Sequence, residues 1–147
     1  MDIILETSAV FFFALLSATL IPATSEAVLI ATVLNGDTNL WLLALTATFG
    51  NTAGAIINWA IGIFLSGLSK KSWFPIKKKM IVKAEDYFKK YGVWSLLFSW
   101  LPIIGDPLTL VAGYLKVPFL TFCVLVFLGK GARYFFIVQF FSGSWHL

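Results

Sequence analysis

Apolar residues run along this chain in four long stretches, 8–34, 40–66, 93–115 and 117–141. The second carries no charge and is long enough to cross a bilayer with some tilt. The first and third are broken in the same way. Pro22 is followed four residues later by Glu26, with Ser25 beside it, and Pro102 is followed at the same spacing by Asp106. Proline removes a backbone donor and breaks a helix. In Gly105-Asp106-Pro107 the second proline also disfavours helical geometry at Asp106, so this tripeptide is not expected in mid-helix. Both breaks are therefore predicted to be re-entrant hairpins rather than spans. The fourth stretch is interrupted by Gly129-Lys130-Gly131-Ala132-Arg133. After Pro75, Ile76, Met80, Ile81, Ala84, Tyr87, Phe88 and Tyr91 recur at three- and four-residue steps among lysines, which predicts an amphipathic interfacial helix. Asn35-Gly36-Asp37 is a turn signal.

Composition fixes the class. The chain is 59% hydrophobic and 12% charged, with a mean hydropathy of +0.89. That is an all-α integral membrane protein, one membrane domain over residues 1–147. The first charges are Asp2 and Glu6, where a signal peptide needs a positive start, so the first stretch is read as mature protein. Cys123 stands alone in an apolar run as a packing residue, and His146 is the only histidine. No metal-ligand cluster, catalytic triad, phosphate loop or nucleic-acid module is visible, so neither cofactor, metal nor enzyme chemistry is expected.

Charge is segregated. Residues 70–90 hold eight lysines against Glu85 and Asp86, a net +6, which leaves −2 for the rest of a chain whose total is +4. Lysine-rich short loops stay on the cytoplasmic side. The 70–92 linker is thus predicted to be cytoplasmic, with anionic headgroups rather than nucleic acid as its partner. Carboxylates inside apolar stretches are costly, so Glu26 and Asp106 are functional candidates. Asn51 and Asn58 mark a polar helix face, and Gly50, Gly54 and Asn58 recur at four-residue spacing where small residues permit close helix approach.

The halves also align. Leu20-Ile21-Pro22 matches Trp100-Leu101-Pro102, and Glu26 matches Asp106, at an offset of 80; Gly50-Asn51 answers Gly129-Lys130 at an offset of 79. Each repeat (8–66 and 93–141) reads as a broken hairpin followed by a full span. If each hairpin enters and leaves on one side, the repeats have opposite orientations, the inverted repeat found in many transporters. The tips would then bring Glu26 and Asp106 together with Lys130 and Arg133. The competing reading is four ordinary spans kinked by proline, which places both termini inside.

Leu16-Ser17-Ala18-Thr19-Leu20-Ile21-Pro22, Ser25-Glu26, Leu45 to Asn51, Lys90-Tyr91-Gly92, Trp100-Leu101-Pro102, Gly105-Asp106 and Leu128 to Tyr134 together resemble the DedA superfamily, also called the SNARE-associated Golgi protein or VTT-domain family. The closest likeness is to its short bacterial YqaA-type branch. The resemblance implies facing re-entrant hairpins in a bacterial inner membrane. It also implies movement of phospholipids or polyprenyl phosphates, with proton coupling suspected. The Pro-x-x-Ser-Glu pattern carries over to Pro22, Ser25 and Glu26. The second hairpin departs from the pattern. Larger members place arginines three residues before and three after its proline, where this chain has Ser99 and Gly105. Lys130 and Arg133 are the candidate replacements for that charge.

The function expected is lipid transport or scrambling, with Glu26 or Asp106 exchanging protons and Lys130 and Arg133 attracting a phosphate headgroup. The bland alternative for each acid is a static ion pair. A non-transporting scaffold acting through the basic helix is the competing function, and an intramembrane protease finds no supporting pattern. A chain with two full spans is expected to form a homo-oligomer.

Overall fold

A computed structural model describes residues 3–19, 24–35, 39–68, 78–101 and 104–143. Every element in them is helical. They are α1 (Ile3–Thr19), α2 (Thr24–Asn35), α3 (Leu40–Leu68), α4 (Lys78–Tyr91), a 3₁₀ segment (Gly92–Trp100), α5 (Gly105–Tyr114) and α6 (Phe119–Gly143). Pro22, Pro75, Pro102, Gly36-Asp37, Lys70, Lys71, Lys77 and His146 lie outside the described residues.

Among the described residues two helices, α3 and α6, are long and apolar enough to cross a membrane. At 1.5 Å per residue the 12-residue α2 rises about 18 Å and the 10-residue α5 about 15 Å, against a hydrocarbon core of about 30 Å. Asn39 caps α3, its Oδ1 accepting from Trp41 N at 2.9 Å and Leu42 N at 3.4 Å. The polar stretch Gly129–Arg133 that interrupts the fourth apolar run lies within α6, which runs through it unbroken. Its glycines serve close approach rather than a break.

The chain divides into two compact units. The first comprises residues 1–54 and 130–147, the second 55–129. In the first, α1 packs against α2. Val10, Ala14, Leu29, Val33, Leu43, Ala44, Ala47, Tyr134 and Val138 form its apolar core. A side chain at Gly50 of α3 would lie 3.0 Å from Ala14 Cβ and 3.1 Å from the Phe11 carbonyl carbon of α1. Lipid gives little drive to bury apolar faces, so such close approach supplies the dispersion contact that holds helices together.

In the second unit the core is built from Ala55, Leu96, Leu108, Ala112, Val117, Phe122, Leu125 and Val126. The 3₁₀ segment lies against α6, where a side chain at Gly129 would come within 2.6 Å of the Leu97 carbonyl oxygen. Helix α5 lies against α3: one at Gly113 would meet the Trp59 carbonyl carbon at 2.7 Å, and one at Gly62 would meet Tyr114 N at the same distance. Trp59 Nε1 donates to Val117 O at 3.1 Å.

Two breaks follow from sequence. Leu101, before Pro102, is extended (φ −67°, ψ 128°), the geometry a following proline favours. Gly105, Asp106 and Pro107 form the first turn of α5, so Asp106 is helical although a proline follows it. Donors in a first turn have no intrahelical acceptor, so the proline loses no bond there. The acid favours the positive end of the helix dipole. At the other end, Val117 N donates to Ala112 O and Lys116 N to Gly113 O, both at 2.9 Å, which closes α5 in a Schellman turn. Lys116 takes the left-handed position there (φ 56°), which glycine adopts without strain. Lys116→Gly should therefore raise stability by about 0.5–1 kcal/mol, read from thermal unfolding in detergent.

Candidate functional site

Polar side chains of the first unit converge from three helices. Position 25 brings Ser25, and position 26 Glu26, into the first turn of α2, where a carboxylate is favoured by the helix dipole. Asn51 stands on α3 next to Gly50, and Lys130 stands near the midpoint of α6, next to Gly131. Arg133 and Tyr134 follow one turn later. Gly50 lets α3 approach α1, and Gly131 lets α6 approach Thr48, to whose Cγ2 a side chain there would lie 3.4 Å.

The network is directional. Lys130 Nζ donates to Asn51 Oδ1. Asn51 Nδ2 donates to Tyr134 OH at 2.9 Å, and Tyr134 OH donates to Ser25 Oγ at 3.0 Å. Tyr134 is 1% exposed and Lys130 4%, so chain and cation are sealed from the surface. Arg133 Nη2 donates to Glu26 Oε1 in an ion pair that is partly open, its side chains 16% and 32% exposed respectively. A closed chain of neutral hydrogen bonds thus holds one cation, and a reachable carboxylate holds the other. Burying an ammonium needs such partners, and a guanidinium paired to a carboxylate makes charge-assisted hydrogen bonds.

Of the residues marked from sequence, Glu26, Ser25, Asn51, Lys130 and Arg133 come together. Asp106 belongs to the second unit, at the head of α5. Asn58 lies there too, its Nδ2 donating to Thr109 Oγ1 at 3.5 Å. Tyr134 was not singled out as a site residue, although its neighbours Lys130 and Arg133 were; its partner Ser25 lies 109 residues away in the chain. Glu6 was also not singled out as a buried acid of the first unit. It is 3% exposed on the same α1 face as Val10 and Ala14, and an acid at that four-residue spacing within an apolar helix was the available signal. Among the described residues no cluster of metal-ligating side chains occurs.

Ser99 and Gly105, where larger members of the resembled family place arginines, touch one another. A side chain at Gly105 would lie 2.8 Å from the Ser99 carbonyl carbon, and one at Gly129 would lie 3.2 Å from Ser99 Oγ. Packing in this unit therefore excludes large side chains at both positions, and the departure is steric as well as electrostatic. Gly105→Ala should destabilise the protein by about 1–3 kcal/mol through overpacking, measurable as a lower unfolding temperature in detergent.

Helices long and apolar enough to span a bilayer, carrying a buried, hydrogen-bonded ionic network, fit an integral membrane protein. Residues 21–143 match the VTT domain, and the chain belongs to that family. It is 39% identical over 132 residues to inner membrane protein YqaA of Escherichia coli (strain K12), covering 88% of this chain and 87% of that relative. An uncharacterized protein of Haemophilus influenzae is 34% identical over 131 residues, 84% of this chain and 80% of its own length. Undecaprenyl phosphate transporter A of Staphylococcus aureus is 34% identical over 58 residues, 39% of this chain and 29% of its own. No solved structure gives a significant match.

Proposed function

We propose that this protein moves a lipid with a phosphate headgroup, a phospholipid or a polyprenyl phosphate, across the bacterial inner membrane. The observation that carries the reading is the pair of α6 cations: Lys130 held by the Asn51 amide, and Arg133 by the partly open Glu26 carboxylate. A phosphate arriving at this site competes for Arg133. A proton taken up by Glu26 weakens its hold on the guanidinium and frees it for the phosphate. The Tyr134–Ser25 bond keeps α2 and α6 in register while that exchange takes place. The partial likeness to a protein named for undecaprenyl phosphate transport supports the substrate class. Nothing in this scheme requires a covalent step, so the protein is read as a transporter rather than an enzyme.

The inverted repeat is part of the same proposal, and the contacts within each unit support it. The first arm of each hairpin packs on the span of its own repeat, α1 at Gly50 and the 3₁₀ segment at Gly129, two glycines that align in sequence. The second arm packs on the span of the other repeat, α2 on α6 through Arg133 and Tyr134, and α5 on α3 through Asn58 and Trp59. The lengths of α2 and α5 fit re-entrant arms. In this reading Asp106 is the counterpart of Glu26 in its own unit, residues 70–92 are cytoplasmic, and both termini are outside.

The test is reconstitution of the purified chain in vesicles with a fluorescent phospholipid or polyprenyl phosphate, read by chemical quenching of the outer leaflet. Protein-dependent exchange is expected; exchange at the protein-free rate for both lipid classes would overturn the reading. Sidedness is tested by labelling single cysteines in a Cys123→Ser background. Termini labelled from the cytoplasmic side would remove the re-entrant topology.

A further inference from the structure

Helix α4 lies in the second unit, against the 3₁₀ segment and α5. It rests on that unit through half-buried Phe88, which packs on the core built around Leu96 and Phe122. The neighbouring strip of its surface is uncovered. Tyr87 is 50% exposed and Tyr91 47%, their rings stacked at 6.2 Å. Alongside them on the helix, at 100° per residue, stand Lys79, Lys83 and Lys90, all exposed and within about 40° of one another. Lys90 Nζ sits 5.2 Å from the centre of the Tyr91 ring. The nearest acid, Asp86, is turned to Lys89 at 3.9 Å, and Glu85 lies on the far side.

A tyrosine strip bordered by a row of lysines has two requirements at once. The rings favour the boundary between water and acyl chain, where tyrosine and tryptophan collect. The lysine stems can lie along that boundary with their ammonium groups at headgroup level. Trp94, also exposed, stands two residues after Gly92, whose left-handed backbone (φ 60°) ends α4 and begins the 3₁₀ segment. A soluble acidic partner would satisfy the lysines but would have no use for two half-exposed tyrosines. Charge complementarity together with the aromatic strip selects one occupant.

From this strip we infer a binding surface for anionic phospholipid headgroups of the surrounding bilayer, formed by Lys79, Lys83, Lys90, Tyr87 and Tyr91 and separate from the polar site on α2, α3 and α6. It stands whether or not the protein transports lipid. The full chain purified in mild detergent is titrated with phosphatidylglycerol or phosphatidylcholine, and bound lipid is counted by native mass spectrometry. The expected result is a preference for phosphatidylglycerol of about a hundredfold, falling roughly fivefold for each lysine replaced, on the scale of one surface lysine near an anionic membrane. The triple variant Lys79→Gln, Lys83→Gln, Lys90→Gln should bind both lipids alike while keeping its circular dichroism and elution volume, because all three side chains are exposed. No preference in the parent, or an unchanged preference in the variant, overturns the inference. A second readout places an environment-sensitive fluorophore at Tyr87→Cys in the Cys123→Ser background, in vesicles containing phosphatidylglycerol. Shielding from aqueous iodide is expected; free access by iodide, the result for a surface serving a soluble acidic partner, overturns it.

Discussion

Glu26→Gln should leave the protein folded while lipid exchange in vesicles falls about a hundredfold, the scale of losing one preorganised polar group. The amide keeps the shape of the carboxyl and can still accept from Arg133, but it cannot take up a proton. The residual exchange should no longer respond to pH. Stability should fall by about 1–2 kcal/mol, below the 3–5 of a sealed pair, because water reaches both groups. The measurement pairs the exchange assay at several pH values with thermal unfolding of Glu26→Gln, Arg133→Gln and the double variant. A coupling free energy of roughly 0.5–3 kcal/mol is the range for residues in direct contact. If Glu26→Gln unfolds the chain whenever it stops exchange, the pair is a static brace between α2 and α6, and the proton-exchange role is lost.

Lys130→Met should separate function from scaffold still more sharply. Methionine matches the lysine stem and removes the charge, and an apolar replacement of a buried ion is often neutral or stabilising. The opposing loss is the Asn51 carbonyl left without this donor, worth about 1 kcal/mol. Unfolding should therefore stay within about 1 kcal/mol of the parent, while exchange of a phosphate-bearing lipid falls about a hundredfold. Asn51→Leu is the converse. It leaves the ammonium buried without its amide and takes a donor from Tyr134, so stability should fall by about 2–3 kcal/mol. Equal destabilisation by both variants, with exchange tracking the folded fraction, would assign Lys130 to the scaffold alone.

Much of the architecture was legible because lipid imposes a severe rule: backbone groups must be satisfied within the segment, so apolar runs become helices and prolines mark their ends. The two long spans, the amphipathic α4 and the helix break between Trp100 and Gly105 follow from hydropathy, period and proline. Asp106 sits in the first turn of α5 although Pro107 disfavours helical geometry there, and Gly129 and Gly131, read as the polar centre of the last span, lie within unbroken α6. In lipid the same glycines are contact surfaces, as the approach of Leu97 to Gly129 illustrates.

The site was legible only in part. An acid or a cation in an apolar run announces itself, so Glu26, Lys130 and Arg133 are visible in the sequence alone, and Ser25 and Asn51 stand beside recognisable motifs. Pairing is another matter. Glu26 and Arg133 are 107 residues apart and Asn51 and Lys130 are 79 apart, and no local pattern says which acceptor meets which donor. That Tyr134 links Asn51 to Ser25, and that Ser99 and Gly105 leave no room for arginine, depends on how closely helix surfaces approach. The sequence by itself determined which residues lipid would force inward, because charge and amide in hydrocarbon have few places to go. Only the tertiary structure decided how they pair, because contact distance is set by packing across helices far apart in the chain.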